Sequence, residues 1–188
     1  MKMTGKTILT WDSKNNAIHH RLTDSIIINE RIRKASKDDL PGMTNVDFEC
    51  NSVVINRLRL GKKELRDALN KRFEEHNKEF YVFEADNEIL GYCILKPEFH
   101  GYKNCELSWI AVKKKYQNKG IGKRLIEFIE AIARKEGFRN IYAYTSEKEN
   151  DKVKGFYSNM GYRKINAYED YYSDGTRAVL FGKKISKH

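Results

Sequence analysis

The chain has 188 residues, which fits one domain of ordinary size with a core large enough to do without disulfide or metal staples. Hydrophobic residues at 40% and charged residues at 33% describe a folded, soluble chain, and two prolines and twelve glycines exclude collagen-like or linker-dominated architectures. A formal charge of +10 favours anionic partners, whether nucleic acid, an acidic membrane surface or a polyphosphate cofactor, without choosing among them.

Residues 1–29 resist placement. Ile26-Ile27-Ile28 suits a strand, and Asp12-Ser13-Lys14-Asn15-Asn16 suits a loop or hairpin turn. From Arg31 to Ala35 the alternation predicts a strand. Ser36-Lys37-Asp38-Asp39 offers helix-start chemistry, which Pro41-Gly42 is expected to interrupt. Asn45 to Asn56 is ambiguous. Lys62 to His76 reads as a helix with Leu65, Ala68, Leu69, Phe73 and His76 on one face.

Phe80–Phe83 and Ile89–Leu95 read as strands around the turn Asp86-Asn87. Glu106 to Val112 is a strand. Gly120 to Lys135 is the clearest helix, with Ile121, Leu125, Ile126, Phe128, Ile129 and Ile132 on its apolar stripe and Gly137 as its stop. A strand from Asn140 to Tyr144, a helix from Asn150 to Met160 and strands near Tyr162–Tyr168 and Arg177–Lys184 complete a mixed α/β order. The basic residues are spread along the chain and mostly read as a solvated surface. Cys50, Cys93 and Cys105 are odd in number and widely spaced, so buried thiols in a reducing cytoplasm are expected rather than disulfides or a metal site. No 18-residue apolar run and no signal segment is present, so a cytoplasmic location without a membrane partner is expected.

Gln117-Asn118-Lys119-Gly120-Ile121-Gly122 lies between a predicted strand and the strongest predicted helix. Glycines remove side chains where backbone must approach a ligand. The helix's first N–H groups lack intrahelical partners, so they and the helix dipole suit a pyrophosphate. Lys113, Lys114, Lys119, Lys123 and Arg124 add positive charge. A Walker A loop is excluded because Gln117 stands at its first glycine and Arg124 follows Lys123; a dinucleotide fingerprint is excluded because Leu125 stands at its third glycine. On its own, a G-x-G turn is equally a ligand-free strand-to-helix corner.

The run Glu106-Leu107-Ser108-Trp109-Ile110-Ala111-Val112, followed by Gln117 to Gly122 and Leu125-Ile126, resembles the acetyl-CoA-binding motif of the GNAT acetyltransferases. Downstream, Asn150, Val153, Phe156-Tyr157 and Met160-Gly161-Tyr162 resemble that family's second motif, with Val153 for the usual alanine and Tyr162 for phenylalanine. The resemblance spans roughly residues 31–184. It implies a GNAT-type fold, a central twisted mixed sheet flanked by helices, over residues 30–188, preceded by an extension at 1–29 of unassigned role.

It also implies transfer of an acetyl group from acetyl-CoA to an amine, with no metal. Such chemistry needs a base for the amine, polarisation of the thioester carbonyl and a proton for the leaving thiolate. By resemblance Glu106 is the base and Tyr157 the acid; as plain structure they are a strand-end carboxylate and a core aromatic. The backbone of Ile110, Ala111 and Val112 is expected to pair with the pantetheine arm, with the Ile110 N–H also suited to the carbonyl. Gln117, Asn118, Lys119, Gly120, Ile121, Gly122 and Lys123 are expected to cradle the phosphates, with Phe156 beside them. Asn150 is equally a pantetheine contact or a helix cap.

The acceptor is open between a protein or peptide amine and a small molecule such as a polyamine or an aminoglycoside. Asp47, Glu49 and Glu98 are acidic groups able to attract an amine, though such residues are more often plain surface. Tyr171-Tyr172-Ser173-Asp174-Gly175 faintly resembles the late hairpin of RimI-like N-terminal acetyltransferases, and it is also ordinary hairpin chemistry. Two other classes compete. A nucleic-acid-binding module fits the charge but lacks any recognition motif. A non-catalytic acyl-CoA sensor would need neither Glu106 nor Tyr157. A homodimer stays open.

Overall fold

The computed structural model describes residues 8–12, 17–21, 29–50, 60–148 and 151–186, the side chains of 8–12, 17–21, 151 and 152 excepted. Among the described residues nine strands form one sheet: β1 (Ile8–Asp12), β2 (Ala17–Arg21), β3 (Glu30–Lys34), β4 (Glu79–Ala85), β5 (Glu88–Lys96), β6 (Asn104–Val112), β7 (Asn140–Ser146), β8 (Arg163–Tyr168) and β9 (Ala178–Lys184). Their spatial order is β1-β2-β3-β4-β5-β6-β7-β9-β8, and every neighbouring pair is antiparallel except β6 and β7. Helices α1 (Leu40–Glu49), α2 (Lys62–Phe73), α3 (Ile121–Lys135) and α4 (Asp151–Asn159) flank it. The mixed sheet with flanking helices is the architecture expected from the sequence.

The central strands read as continuous apolar runs because both faces of the sheet are covered. Phe83, Cys93 and Leu95 join Leu125, Ile126 and Ile129 of α3 in one core. Phe80, Val82, Tyr92 and Ile94 join Met43 and Val46 of α1 and Leu69 of α2 in the other. α3 ends as its sequence predicts. Gly137 takes φ of 80°, the Phe138 N–H reaches the Ala133 carbonyl at 2.9 Å, and the Gly137 N–H reaches that of Arg134 at 3.1 Å.

Two expectations are corrected. Pro41 does not interrupt a helix; it sits in the first turn of α1, where the missing N–H has no intrahelical role. The preceding 3-10 turn is braced by the Ser36 N–H donating to Asp39 Oδ2 at 2.8 Å and by Arg33 donating to both Asp39 oxygens. α2 stops at Phe73 rather than His76. Ile26–Ile28 and much of Asn45–Asn56 lie outside the described residues. β1 and β2 carry the sheet outward from β3, through Ile18 opposite Ile32 and His19 opposite Arg31.

β6 carries the feature that sets up the cleft. Ile94 pairs with Trp109 and Leu95 with Leu107, so Ser108 is an extra residue. Before this bulge Cys105 and Leu107 point to the α3 side. After it Ile110 and Val112 take that side, while Trp109 and Ala111 face α1 and α2.

A buried carboxylate joins α1 to the sheet. Asp47 is 4% exposed and accepts from the Tyr92 hydroxyl at 2.7 Å and from Trp109 Nε1 at 3.0 Å. Burial pushes its pKa up to about 6, against the pull of those two donors and of Arg72. Tyr92→Phe removes one donor from this carboxylate, and is expected to cost about 1–3 kcal/mol in urea unfolding. The donor also holds the folded-state pKa down, so its loss raises that pKa further above the unfolded value. The folded mutant then binds its proton more tightly, and the deficit should grow as pH rises through about 6. A deficit constant from pH 5 to 8 would contradict an ionised, Tyr92-bound Asp47.

Candidate active site

Between β6 and β7 the sheet comes apart. The two strands pair only over Asn104–Glu106 and Asn140–Tyr142, although β6 continues to Val112 and β7 to Ser146. The β7-facing edge of β6 beyond Glu106 therefore has no strand partner among the described residues. It borders a cleft of about 860 Å³ lined by Glu106 to Val112 on one side and Tyr144 to Ser146 on the other.

The glycine turn lies at the Val112 end. Gln117, Asn118, Gly120, Gly122 and Lys123 line the cleft there. Asn118 and Gly120 have φ of 62° and 85°, and no side chain caps the N-terminus of α3. The two glycines serve different ends. A Cβ on Gly120 would meet nothing within 4 Å, so what requires glycine there is the left-handed backbone. A Cβ on Gly122 would sit 3.2 Å from the Phe156 ring, so that glycine lets α4 close upon α3. A bare turn, first-turn donors and an unpaired strand edge together fit a long ligand that carries phosphates at one end and peptide-like amides along its arm. Gly120→Val should weaken coenzyme A binding about tenfold by calorimetry, because a β-branched residue resists this φ and shifts the turn. Unchanged affinity would remove the turn from the binding site.

The side chains around the turn divide by role. That of Ile121 is buried in the α3 core, on the apolar stripe expected of it. Lys119 lies over the Tyr116 ring at 5.2 Å and does not line the cleft. The Gln117 amide donates to the carbonyls of Cys50 at 2.8 Å and Val112 at 3.0 Å, tying the end of α1 to the turn. Lys113 is buried and bound to Glu88 at 2.6 Å, and Arg124 is bound to Glu30 and stacked on Phe83. Neither can supply free charge to a phosphate. Asn150 lies outside the described residues.

Tyr157 reaches the cleft from α4 and is 5% exposed. Its ring stacks on Phe181 at 5.3 Å and meets Phe156 and Tyr162 edge-on. Glu106 lies at the opposite end of the β6 segment from the turn. Burial raises its pKa above the ordinary 4.5, while the charges of Lys96, Lys78, Arg72 and His100 pull it back. On the β7 side stands an aromatic wall: Tyr144 stacks on Tyr171 at 5.2 Å, and Tyr172 meets Tyr171 edge-on. Burial, with Tyr168, Tyr171 and Glu106 nearby, pushes the Tyr144 hydroxyl up to about 12, so it stays a neutral donor.

The acidic residues suggested for an acceptor do not gather here. Asp47 is committed to Tyr92 and Trp109, Glu49 is exposed and lies 3.7 Å from Lys113, and Glu98 is exposed outside the cleft lining. Sequence reading missed Arg72, Lys78, Lys96 and Tyr144, all of which line the cleft. A usable signal existed only for Lys96, which a β5–β6 hairpin sets beside Glu106.

A family model described as Acetyltransferase (GNAT) family matches residues 43–162. An N-alpha-acetyltransferase of Sulfurisphaera tokodaii is 27% identical over 76% of this chain and 89% of its own length. An uncharacterized N-acetyltransferase of Chlorobaculum tepidum is 32% identical over 48% of this chain, a stretch that spans only 54% of that relative. The ribosomal-protein-S18-alanine N-acetyltransferase from Escherichia coli shares the fold with a TM-score of 0.67 at 17% identity, over 85% of this chain and 96% of that one.

Proposed function

The chain belongs to the acetyltransferase (GNAT) family, and from that premise we propose that it moves an acetyl group from acetyl-CoA to the α-amine of a polypeptide. The observation that carries this is the meeting of Glu106, Tyr157 and the unpaired edge of β6 in one cleft. The coenzyme supplies an activated thioester. Ile110 and Val112 hold its arm by main-chain hydrogen bonds, and the Ile110 N–H polarises the carbonyl. Gly120, Gly122 and Lys123 hold its phosphates.

Glu106, directly or through one water, takes a proton from the acceptor ammonium. The freed nitrogen attacks the carbonyl carbon, the C–N bond forms and the C–S bond breaks; Tyr157 gives its phenolic proton to the departing sulfur, and the second proton, which the nitrogen sheds on becoming an amide, restores the phenol. A partly buried glutamate is a mild base. An α-amine, with a reference pKa near 8, suits it better than a lysine near 10.4. The aromatic wall of Tyr144, Tyr171 and Tyr172 suits a peptide backbone laid against it, and the N-alpha-acetyltransferase relative supports the same acceptor. Cys50, Cys93 and Cys105 are buried thiols outside any disulfide among the described residues, which fits work in a reducing cytoplasm.

The test follows release of coenzyme thiol with four acceptors in parallel: a peptide with a free α-amine, an N-terminally blocked peptide carrying lysine, a polyamine and an aminoglycoside. Turnover with the free α-amine is expected. Turnover confined to lysine or to the small molecules would overturn the assignment.

A further inference from the structure

The Glu106 end of the cleft carries a surplus of positive charge that the transfer chemistry does not use. Lys96 stands directly opposite Glu106 in the β5–β6 register, so the two side chains leave the sheet on one face. Cross-strand Cβ atoms lie about 5 Å apart. Yet no salt bridge joins them, and Lys96 has no ion-pair partner among the described residues. Arg72, from the last turn of α2, lies over the Trp109 ring with its guanidinium 5.5 Å from the centroid and has no carboxylate at salt-bridge distance among the described residues. Lys78 is held at 2.6 Å from Glu75, and its side chain is only 14% exposed. All three line the cleft and are only partly exposed.

These cations are not placed for the coenzyme's phosphates. The glycine turn follows Val112, six residues along β6 from Glu106, which is about 20 Å at strand rise. Nor do they suit a polycation, because an acceptor bearing several ammonium groups would meet Arg72, Lys78 and Lys96 together. Two partly buried cations with no ion-pair partner among the described residues, at the mouth of an amine site, are arranged for a carboxylate that arrives with the amine.

Resting on the α-amine reading above, we propose that Lys96 and Arg72 form an anion subsite selecting polypeptides whose first residues carry an Asp or Glu side chain. The geometry fits the length of such a chain. Successive residues of an extended peptide advance about 3.5 Å. With its α-amine at Glu106, a carboxylate at the second or third residue lies within reach of Lys96 or Arg72. Tyr144 and Tyr171 wall the other side and offer neutral hydroxyls, so they do not compete for the charge.

The experiment uses the full chain, acetyl-CoA and three peptides with C-terminal amides. They differ only at positions two and three, which are Glu-Glu, Gln-Gln or Lys-Lys. We expect kcat/KM for the Glu peptide to exceed that for the Gln peptide at least tenfold, with the Lys peptide slowest. The advantage should shrink as salt rises. In Lys96→Gln/Arg72→Gln the Glu-to-Gln ratio should fall towards one, and coenzyme A binding by the variant confirms that it is folded. In Lys96→Glu the order of Glu and Lys peptides should reverse. Equal rates for all three peptides with the natural chain, or an unchanged ratio in a folded double variant, would overturn the subsite while leaving α-amine transfer standing. No turnover of any of the three would overturn the α-amine reading and the subsite with it.

Discussion

Tyr157→Phe is expected to lower kcat about 100-fold while leaving coenzyme A affinity within about twofold. The substitution deletes one oxygen from a ring that stays stacked on Phe181 and edge-on to Phe156 and Tyr162. Packing changes little, so the site keeps its shape. On the proposed mechanism, what disappears is the proton for the departing thiolate, and positioned acid catalysis contributes roughly 10²–10⁴-fold. A 100-fold loss is about 2.7 kcal/mol of barrier. The measurement is single-turnover kinetics beside calorimetric titration of coenzyme A. If kcat is unchanged, Tyr157 is only a core aromatic; if coenzyme affinity falls with kcat, its role is structural.

Glu106→Gln should lower kcat/KM by a similar factor near pH 7, because the amide keeps the shape of the side chain and cannot accept the proton. The pH profile separates the base from a bystander. Burial raises Glu106 above 4.5, so the folded enzyme holds this proton to higher pH than a free glutamate would. Only the ionised form accepts a proton. The natural enzyme should therefore lose activity on acidification with a midpoint above 4.5, and that limb should be missing from Glu106→Gln. What remains in the variant should follow the acceptor, whose own α-amine deprotonates near pH 8. A variant with the same acid limb as the natural chain would assign the titration to another group.

Much of this molecule is legible in its sequence where a signal is local. α3 shows itself because Ile121, Leu125, Ile126, Phe128, Ile129 and Ile132 form a stripe and Gly137 ends it. The hairpin between β4 and β5 shows itself because Asp86 and Asn87 tolerate the positive φ of 49° and 62° that a tight turn needs. α1 is hidden because Pro41-Gly42 is a breaker in mid-helix and a starter in a first turn, and the letters alone do not say which.

The candidate site divides in the same way. Glu106, Tyr157 and the glycine turn are brought to one cleft, as motif spacing suggests. Asp47 misleads because its partners, Tyr92 and Trp109, lie 45 and 62 residues further along the chain. Lys113 and Arg124 mislead because their countercharges, Glu88 and Glu30, arrive from other strands. Arg72 and Lys78 are invisible among 36 basic residues until α2 and the turn into β4 bring them beside Lys96. Burial and charge pairing are long-range facts, and they decide which of many similar side chains act.

The extra residue at Ser108 has a consequence for how this strand can change. It acts as a half-turn screw joint between Asn104–Leu107 and Trp109–Val112, and the two stretches are out of phase across it. Deleting Ser108 would return β6 to regular alternation, and Cys105, Leu107, Ile110 and Val112 would still share the α3 side. What would go is the local bend and added twist of the bulge, which fall where β6 parts from β7.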